Sequence, residues 1–504
     1  MKPEEHEEII EKAQGLVEKG QFNEGQALLE RALGQGTLQN EELRAMAFLL
    51  LSRVAYLQGN FDAALLHLRT AQRKASGKLS WVVLETSRIE GNIFVEKGDY
   101  EKGLKCYTTA LERAQQLEDK KALASCLNNI AVVHVRRGEF DLALEIFDKA
   151  IVAAGEAADK EELSKIQNNL GYLHTQRGQY DLAYEQYQGS LALDKEREDI
   201  IGQAICLRNI SDIYKARGDY QVASEYLQKA YDSFLASDFK QGLAYVCASR
   251  GELCWLQGDL RKAVETLSQG IALCRAVGLQ DEIYHHMLLL LAGIQTDKGN
   301  FNEAEDLLDI CTALNKKIES ESLAAEIHFT RGYLEAPGRG KHNLRDAKMH
   351  YRKACDIAER LKLTQVWIKA SLGLVEVSIG ENLALSDESR LRDAEERLLT
   401  IFERAEHRGL IPILFQVLQF QGLLAIAKGE LDEALMYFDQ SYEIAEKQEL
   451  THLAERAREN YERANELRKK SKELLAADKE TSIQDVLQYS RDQIREAQRM
   501  IQTK

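Results

Sequence analysis

Gly138-Glu139-Phe140 and Gly178-Gln179-Tyr180 share one pattern, glycine then polar then aromatic or leucine, and it recurs along the chain. It returns as Gly20-Gln21-Phe22, Gly59-Asn60-Phe61, Gly98-Asp99-Tyr100, Gly218-Asp219-Tyr220, Gly258-Asp259-Leu260, Gly299-Asn300-Phe301 and Gly429-Glu430-Leu431. Subtracting successive glycine numbers from Gly20 to Gly299 gives 39, 39, 40, 40, 40, 40 and 41. A fixed period of this length marks a solenoid of stacked units. Each unit packs only on its neighbours, so the length of 504 residues does not translate into a number of globular domains. Function in such an array lies on one long concave surface.

One unit, read outward from Gly138, explains the beat. Before the glycine, Leu123, Leu127, Ile130, Ala131 and His134 recur at helical spacing and make an apolar stripe. Arg137 puts a cation at the negative end of that helix, and Gly138 can adopt the left-handed backbone that ends it. A second stripe follows: Leu142, Ala143, Ile146, Phe147, Ala150 and Ile151. Each unit is therefore helix A, a tight turn and helix B. In helix B a bulky residue lies between two small ones, as Phe147 does between Ala143 and Ala150 and Tyr187 between Ala183 and Ser190. Alternating sizes let facing layers interdigitate.

These residues resemble the tetratricopeptide repeat. The small residue seven before the turn glycine is Gly91, Ala131, Gly171, Ser211, Gly251 and Ala292. The aromatic or histidine four before it is Phe94, His134, His174 and Tyr214, and the alanine five after it includes Ala64, Ala143, Ala183, Ala223, Ala263, Ala304 and Ala434. The resemblance covers roughly residues 5–450 and implies a right-handed, all-α solenoid of about eleven antiparallel helix pairs. The period of about 40 exceeds the 34 of the basic repeat, and the proline usual after helix B is missing. Long repeats of this kind are similar to those of kinesin light chains, Pins-type adaptors and bacterial peptide-sensing regulators.

The beat also divides the chain. A regular array is expected over 1–335 and irregular repeats over 336–450, after a loop signal at 336–343 that contains Pro337. Capping helices are expected over 451–504. There Thr481-Ser482 can cap a last helix with the stripe Ile483, Val486, Leu487, Ile494, Ala497 and Ile501, which could close the array or dock a partner.

Composition narrows the function classes. The net charge of -15 gives no basic footprint for general nucleic-acid binding. No run approaches the length of an apolar membrane span, and the acidic start Met1 to Glu8 is unlike a secretory leader, so a cytoplasmic location is expected. The eight cysteines form no Cys-x-x-Cys pair, and Cys126 and Cys206 share one register before their turn glycines, as buried core residues would. No catalytic or phosphate-binding motif occurs, and no metal or cofactor is expected. His134 and His174 fall at the aromatic core position, and the adjacent pair His285-His286 is expected to point to different helix faces.

Counted back from the glycine, positions 13, 9, 6 and 2, flanked by 10 and 3, form a stripe beside the core. The resemblance implies that this stripe lines the concave face. Its nine-before position is Asn129, Asn169 and Asn209 in three consecutive units. An amide carries a donor and an acceptor and so matches the peptide group of an extended ligand. Asn128 and Asn168 extend the polar lining, and Arg88, Arg208, Lys165, Lys215 and Arg136 lie around it. This set predicts a scaffold that holds an extended peptide or partner helix, with acidic side chains or a terminal carboxylate favoured. Two other readings stand beside it. The asparagines could bridge helices within the array, or the protein could be a signalling regulator whose superhelix changes pitch on binding, with Pro337 as the hinge.

Overall fold

The left-handed turn that the glycines promise is present. Gly178 has φ +74°, its N–H reaches Thr175 O at 3.0 Å, and Gln179 N reaches His174 O at 2.9 Å. These bonds satisfy carbonyls that the helix end would otherwise leave open. The computed structural model describes residues 3–476 apart from 19–20, 39, 76–79, 280–281, 337–342, 386–387, 408–409 and 448–449. Lys19, Gly20, the expected hinge at Pro337 and the last amphipathic stretch from Thr481 lie outside the described residues.

The helices pair in chain order. The first four pairs are α1 (Pro3–Glu18) with α2 (Phe22–Gly34), α3 (Glu41–Leu57) with α4 (Phe61–Lys74), α5 (Ser80–Glu96) with α6 (Tyr100–Gln116) and α7 (Lys120–Arg136) with α8 (Phe140–Glu156). Next come α9 (Lys160–Arg177) with α10 (Tyr180–Glu196), α11 (Ile200–Arg217) with α12 (Tyr220–Ala236), α13 (Lys240–Leu256) with α14 (Leu260–Val277) and α15 (Glu282–Asp297) with α16 (Phe301–Ile318). The array ends with α17 (Glu321–Glu335) and α18 (Leu344–Arg360), α19 (Thr364–Leu385) and α20 (Glu388–His407), α21 (Ile411–Lys428) and α22 (Leu431–Lys447), then α23 (Thr451–Ala476) alone. The described residues thus make an all-α solenoid of eleven helix pairs plus one helix. The helix α19 is 22 residues long.

Close packing within a pair rests on one contact. A Cβ placed on Gly171 would lie 2.5 Å from Tyr187 Cε1, and one on Gly91 the same distance from Tyr107 Cε1. Gly332 sits against Tyr351 and Gly422 against Phe438 in the same way. The small residue of helix A is the floor on which the ring of helix B lies. Tyr187, Phe147, Tyr351 and Phe438 are all fully buried there.

The cations before the turn glycines do more than face a helix dipole. Arg137 pairs with Glu101 at 3.1 Å, Arg177 with Asp141 at 3.4 Å and Arg217 with Asp181 at 2.5 Å. Each links helix A to the start of the preceding helix B. The carboxylates are exposed, so each link contributes at most about 1 kcal/mol.

A second set of left-handed turns joins one pair to the next. Glu118, Ala158, Glu198 and Asp238 have φ between +49° and +56° and recur once per repeat. Glycine is absent there, so the sequence did not reveal them.

The superhelix then closes on itself. Ser320, which caps α17, donates its hydroxyl to Glu96 O at 2.8 Å, and Glu321 N donates to Lys97 O at 3.2 Å. Lys97 pairs with Glu319 at 3.6 Å, and one repeat further on Lys362 pairs with Glu139 at 3.7 Å. The C-terminal end of α5 therefore meets the N-terminus of α17, six helix pairs later.

Two substitutions test the turn and the floor. Ala158→Gly removes a left-handed strain of about 1 kcal/mol and should raise the urea midpoint followed by circular dichroism. Gly171→Val overpacks Tyr187 and should lower stability by about 1–3 kcal/mol. An unchanged midpoint in either variant contradicts the corresponding assignment.

Candidate functional site

Closure turns the concave groove into a lumen. A cavity of about 710 Å³ is lined from α3 through α21, almost wholly by the A-helices. Its wall follows the expected stripe. The two-before position supplies Glu96, Arg136 and Gln176, and the six-before position supplies Val132, Tyr172, Asp212 and Glu252. Asn169 and Ser249 come from the nine-before position and Tyr245 from thirteen before.

Of the ten residues singled out in sequence, Asn169, Arg208, Lys215 and Arg136 border this cavity. Asn128, Asn129, Asn168, Asn209, Arg88 and Lys165 do not. The asparagines instead form a stepped ladder. Asn169 Nδ2 donates to Asn128 Oδ1 at 2.9 Å, and Asn209 Nδ2 donates to Asn168 Oδ1 at 2.7 Å. Asn128 Nδ2 continues it to Glu162 Oε1 at 3.2 Å. The ladder bridges neighbouring repeats while leaving Asn169 Oδ1 without a donor among the described residues. Asn129 is half-buried beside it.

Every cation of the set lies near a carboxylate, inside the lumen or outside it. Arg88 pairs with Glu85 at 2.6 Å and Lys165 with Glu161 at 2.6 Å. Lys215 is held by Asp212 at 2.8 Å and Glu252 at 2.6 Å. Burial works against the Lys215 ammonium, but those two carboxylates outweigh it and keep its pKa well above the ordinary lysine value. Burial likewise opposes ionisation of Glu252, and Lys215 outweighs it and lowers the carboxyl. At Glu162 burial prevails over Lys165 and the Asn128 bond, and its pKa is raised.

The two arginines are held more loosely by their carboxylates. Arg136 lies 3.4 Å from Glu96 and Arg208 lies 3.7 Å from Asp212, beyond good hydrogen-bond distance. Arg208 is oriented instead by neutral groups. It donates to Asn209 Oδ1 at 2.5 Å and sits over the Tyr245 ring, 5.8 Å from its centroid.

Sequence reasoning missed part of the wall. Tyr56, Tyr245, Glu326 and Gln365 face the lumen because the second superhelical turn abuts the first. Tyr245 could have been found from its thirteen-before register. Glu326 and Gln365 lie where the glycine beat loosens and offered no such ruler. His285 and His286 both border the cavity, the first buried and the second exposed, as neighbours on different faces of α15 are expected to be. His134 and His174 serve the turns, with Nδ1 bonded to Glu139 Oε2 at 2.6 Å and to Gln179 Oε1 at 2.9 Å.

An array of antiparallel helix pairs with an A-helix lumen defines a class of helical-repeat binding proteins. The chain carries tetratricopeptide repeats: models described as tetratricopeptide repeat match residues 10–78, 85–154 and 162–236. A model of anaphase-promoting complex subunit 5 matches residues 213–326. No curated protein matches the sequence significantly. Among solved structures, a Rap protein complexed with competence and sporulation factor is 14% identical, with a TM-score of 0.45 over 89% of this chain and 99% of that one. The human IFIT1 dimer with m7Gppp-AAAA is 16% identical, with a TM-score of 0.46 over 88% and 96%. Aspartyl phosphate phosphatase F from Bacillus subtilis is 14% identical, with a TM-score of 0.43 over 72% and 96%. No helix among the described residues is long and apolar enough to cross a membrane.

The Lys215 site makes a pH prediction. Glu252 has a lowered pKa, so its contribution to stability is present above the unfolded carboxyl pKa and is lost as pH falls. Lys215 has a raised pKa, so its contribution is present below the unfolded lysine pKa and is lost at strongly alkaline pH. Lys215→Met should therefore destabilise the protein at pH 7, and the deficit should shrink as pH falls from about 5 to about 3. Thermal melts of both proteins across that range check it; a deficit independent of pH would rule out the paired-charge account.

Proposed function

We propose that this protein is a non-catalytic, cytoplasmic adaptor whose lumen holds an extended peptide bearing an acidic side chain or a free terminal carboxylate. The observation that carries this reading is the company of Asn169 and Arg208. One offers an open amide oxygen to a ligand N–H. The other offers a planar guanidinium whose own carboxylate is 3.7 Å away. A ligand carboxylate can make a shorter, two-pronged contact there, and Asp212 retains Lys215 as its partner.

Size favours an extended chain over a partner helix. The cavity volume of about 710 Å³ falls within the range of sites that enclose compact ligands. A helix with its side chains is about 10–12 Å across, and an extended strand needs less room. Charge disfavours nucleic acid, since Glu96, Asp212, Glu252 and Glu326 stand in the lining against Arg136, Arg208 and Lys215.

A pooled library of short linear peptides with free or amidated C-termini tests the reading. The wild-type protein should retain acidic or free-carboxylate members. Asn169→Ala combined with Arg208→Ala should weaken retention about tenfold or more, well beyond the loss seen with Asn128→Ala, which breaks the same Asn169–Asn128 bond and so controls for the accompanying drop in melting temperature. Undiminished retention by the double variant would sink the assignment, and retention of oligoribonucleotides in place of peptides would replace it.

A further inference from the structure

From α7 onward, apart from α17, a residue at the entry to each A-helix makes one backbone bond from its N–H to the carbonyl five positions back. Asp119, Asp159 and Asp199 make this bond at 2.9–3.0 Å, and their carboxylates cap α7, α9 and α11. Leu279, Leu363, Leu410 and Leu450 make the same bond at 2.8 Å. Phe239, between the two sets, makes it at 2.9 Å and is partly buried. A leucine cannot cap, and at Leu410 no side-chain cap is made. Aspartate is the better residue for the helix taken alone. All four leucines are buried, however, between 1% and 8% exposed.

Each of them shares a buried cluster with residues of the first turn of the superhelix as well as of its own. Leu279 shares a buried cluster with Val17, Phe22 and Val54. Leu363 and Leu410 share one with Val135, Phe140 and Leu173. Leu450 shares one with Tyr180, Tyr187 and Ile213. At this position, therefore, the first turn keeps its capping aspartates at least partly in solvent while the second turn buries leucines. Ser320 stands between the two types, capping α17 while donating to Glu96 O. The lumen is bordered by both turns, with Glu96, Tyr100 and Phe140 on one side and Ile318, Ser322 and Leu363 on the other.

We propose that this exchange of aspartate for leucine is the device that closes the superhelix, and that the closed superhelix is the binding unit. The leucines are positioning residues: each gives up a local cap to dock one turn on the other, and the docked turns make the lumen. Ligand occupancy and closure are then linked, because a ligand that touches both turns favours the closed state. The binding half of this inference rests on the peptide reading above; the closure half does not.

Leu279 and Leu450 stand outside the cavity lining, so Leu279→Asp with Leu450→Asp tests the device without touching the ligand. The expected result is an unchanged helical circular dichroism signal with a larger radius of gyration in X-ray scattering. Peptide retention should fall with it, about tenfold if nine-tenths of the molecules are open. Leu279→Met with Leu450→Met should stay compact. A scattering profile superimposable on wild type overturns the proposal. So does a loss of helicity, which would make the leucines ordinary core residues. Expansion with undiminished retention overturns the link to the lumen. If the wild type retains no peptide at all, the peptide reading fails, and scattering still decides closure.

Discussion

The contact between the small residue of each A-helix and the ring of its B-helix governs the rest of this structure. With no side chain at Gly91, Gly171, Gly332 or Gly422, the ring of Tyr107, Tyr187, Tyr351 or Phe438 lies on backbone. The two axes come close, and the pair becomes a slab of nearly constant shape. Stacked slabs of constant shape generate a regular superhelix. Such regularity is what lets residues six helix pairs apart, such as Lys97 and Ser320, meet in register. A bulkier residue at any floor position would change one slab and displace every contact that depends on counting slabs.

Regularity also explains why the lumen is chemically mixed. Positions two and six before the glycine line the lumen in several successive repeats, whatever residue they carry. Glu96, Arg136 and Gln176 occupy one such position in succession, and Asp212 and Glu252 another. Opposite charges on neighbouring repeats pair along the wall, as Lys215 does with Glu252. The protein can therefore be acidic overall while presenting individual guanidinium groups to a ligand. The asparagine ladder reconciles the two roles considered for it. Asn169 and Asn209 bridge repeats through their N–H groups, and Asn169 keeps its oxygen toward the lumen.

Much of this could be read from the chain. The glycine beat, the small and bulky alternation and the inward stripe are local properties of helices, and local spacing records them. The inter-repeat turns at Glu118, Ala158, Glu198 and Asp238 could not be read, because residues without conformational preference for that backbone occupy them. Arg177 was legible as a helix-end cation, whereas its bond to Asp141 depends on how two helices stack.

By itself the sequence determined an all-α repeat, its eleven pairs, and the face of each helix that turns inward. These follow from helical periodicity and from backbone that only glycine adopts at no cost. Tertiary structure alone decided that the groove closes into a lumen, that Glu326 and Gln365 share a wall with Asn169, and that each arginine carries a carboxylate partner. The reason is the separation along the chain. A small rotation per repeat is invisible in any one repeat, yet its sum over six pairs brings Lys97 to Ser320 and makes the site.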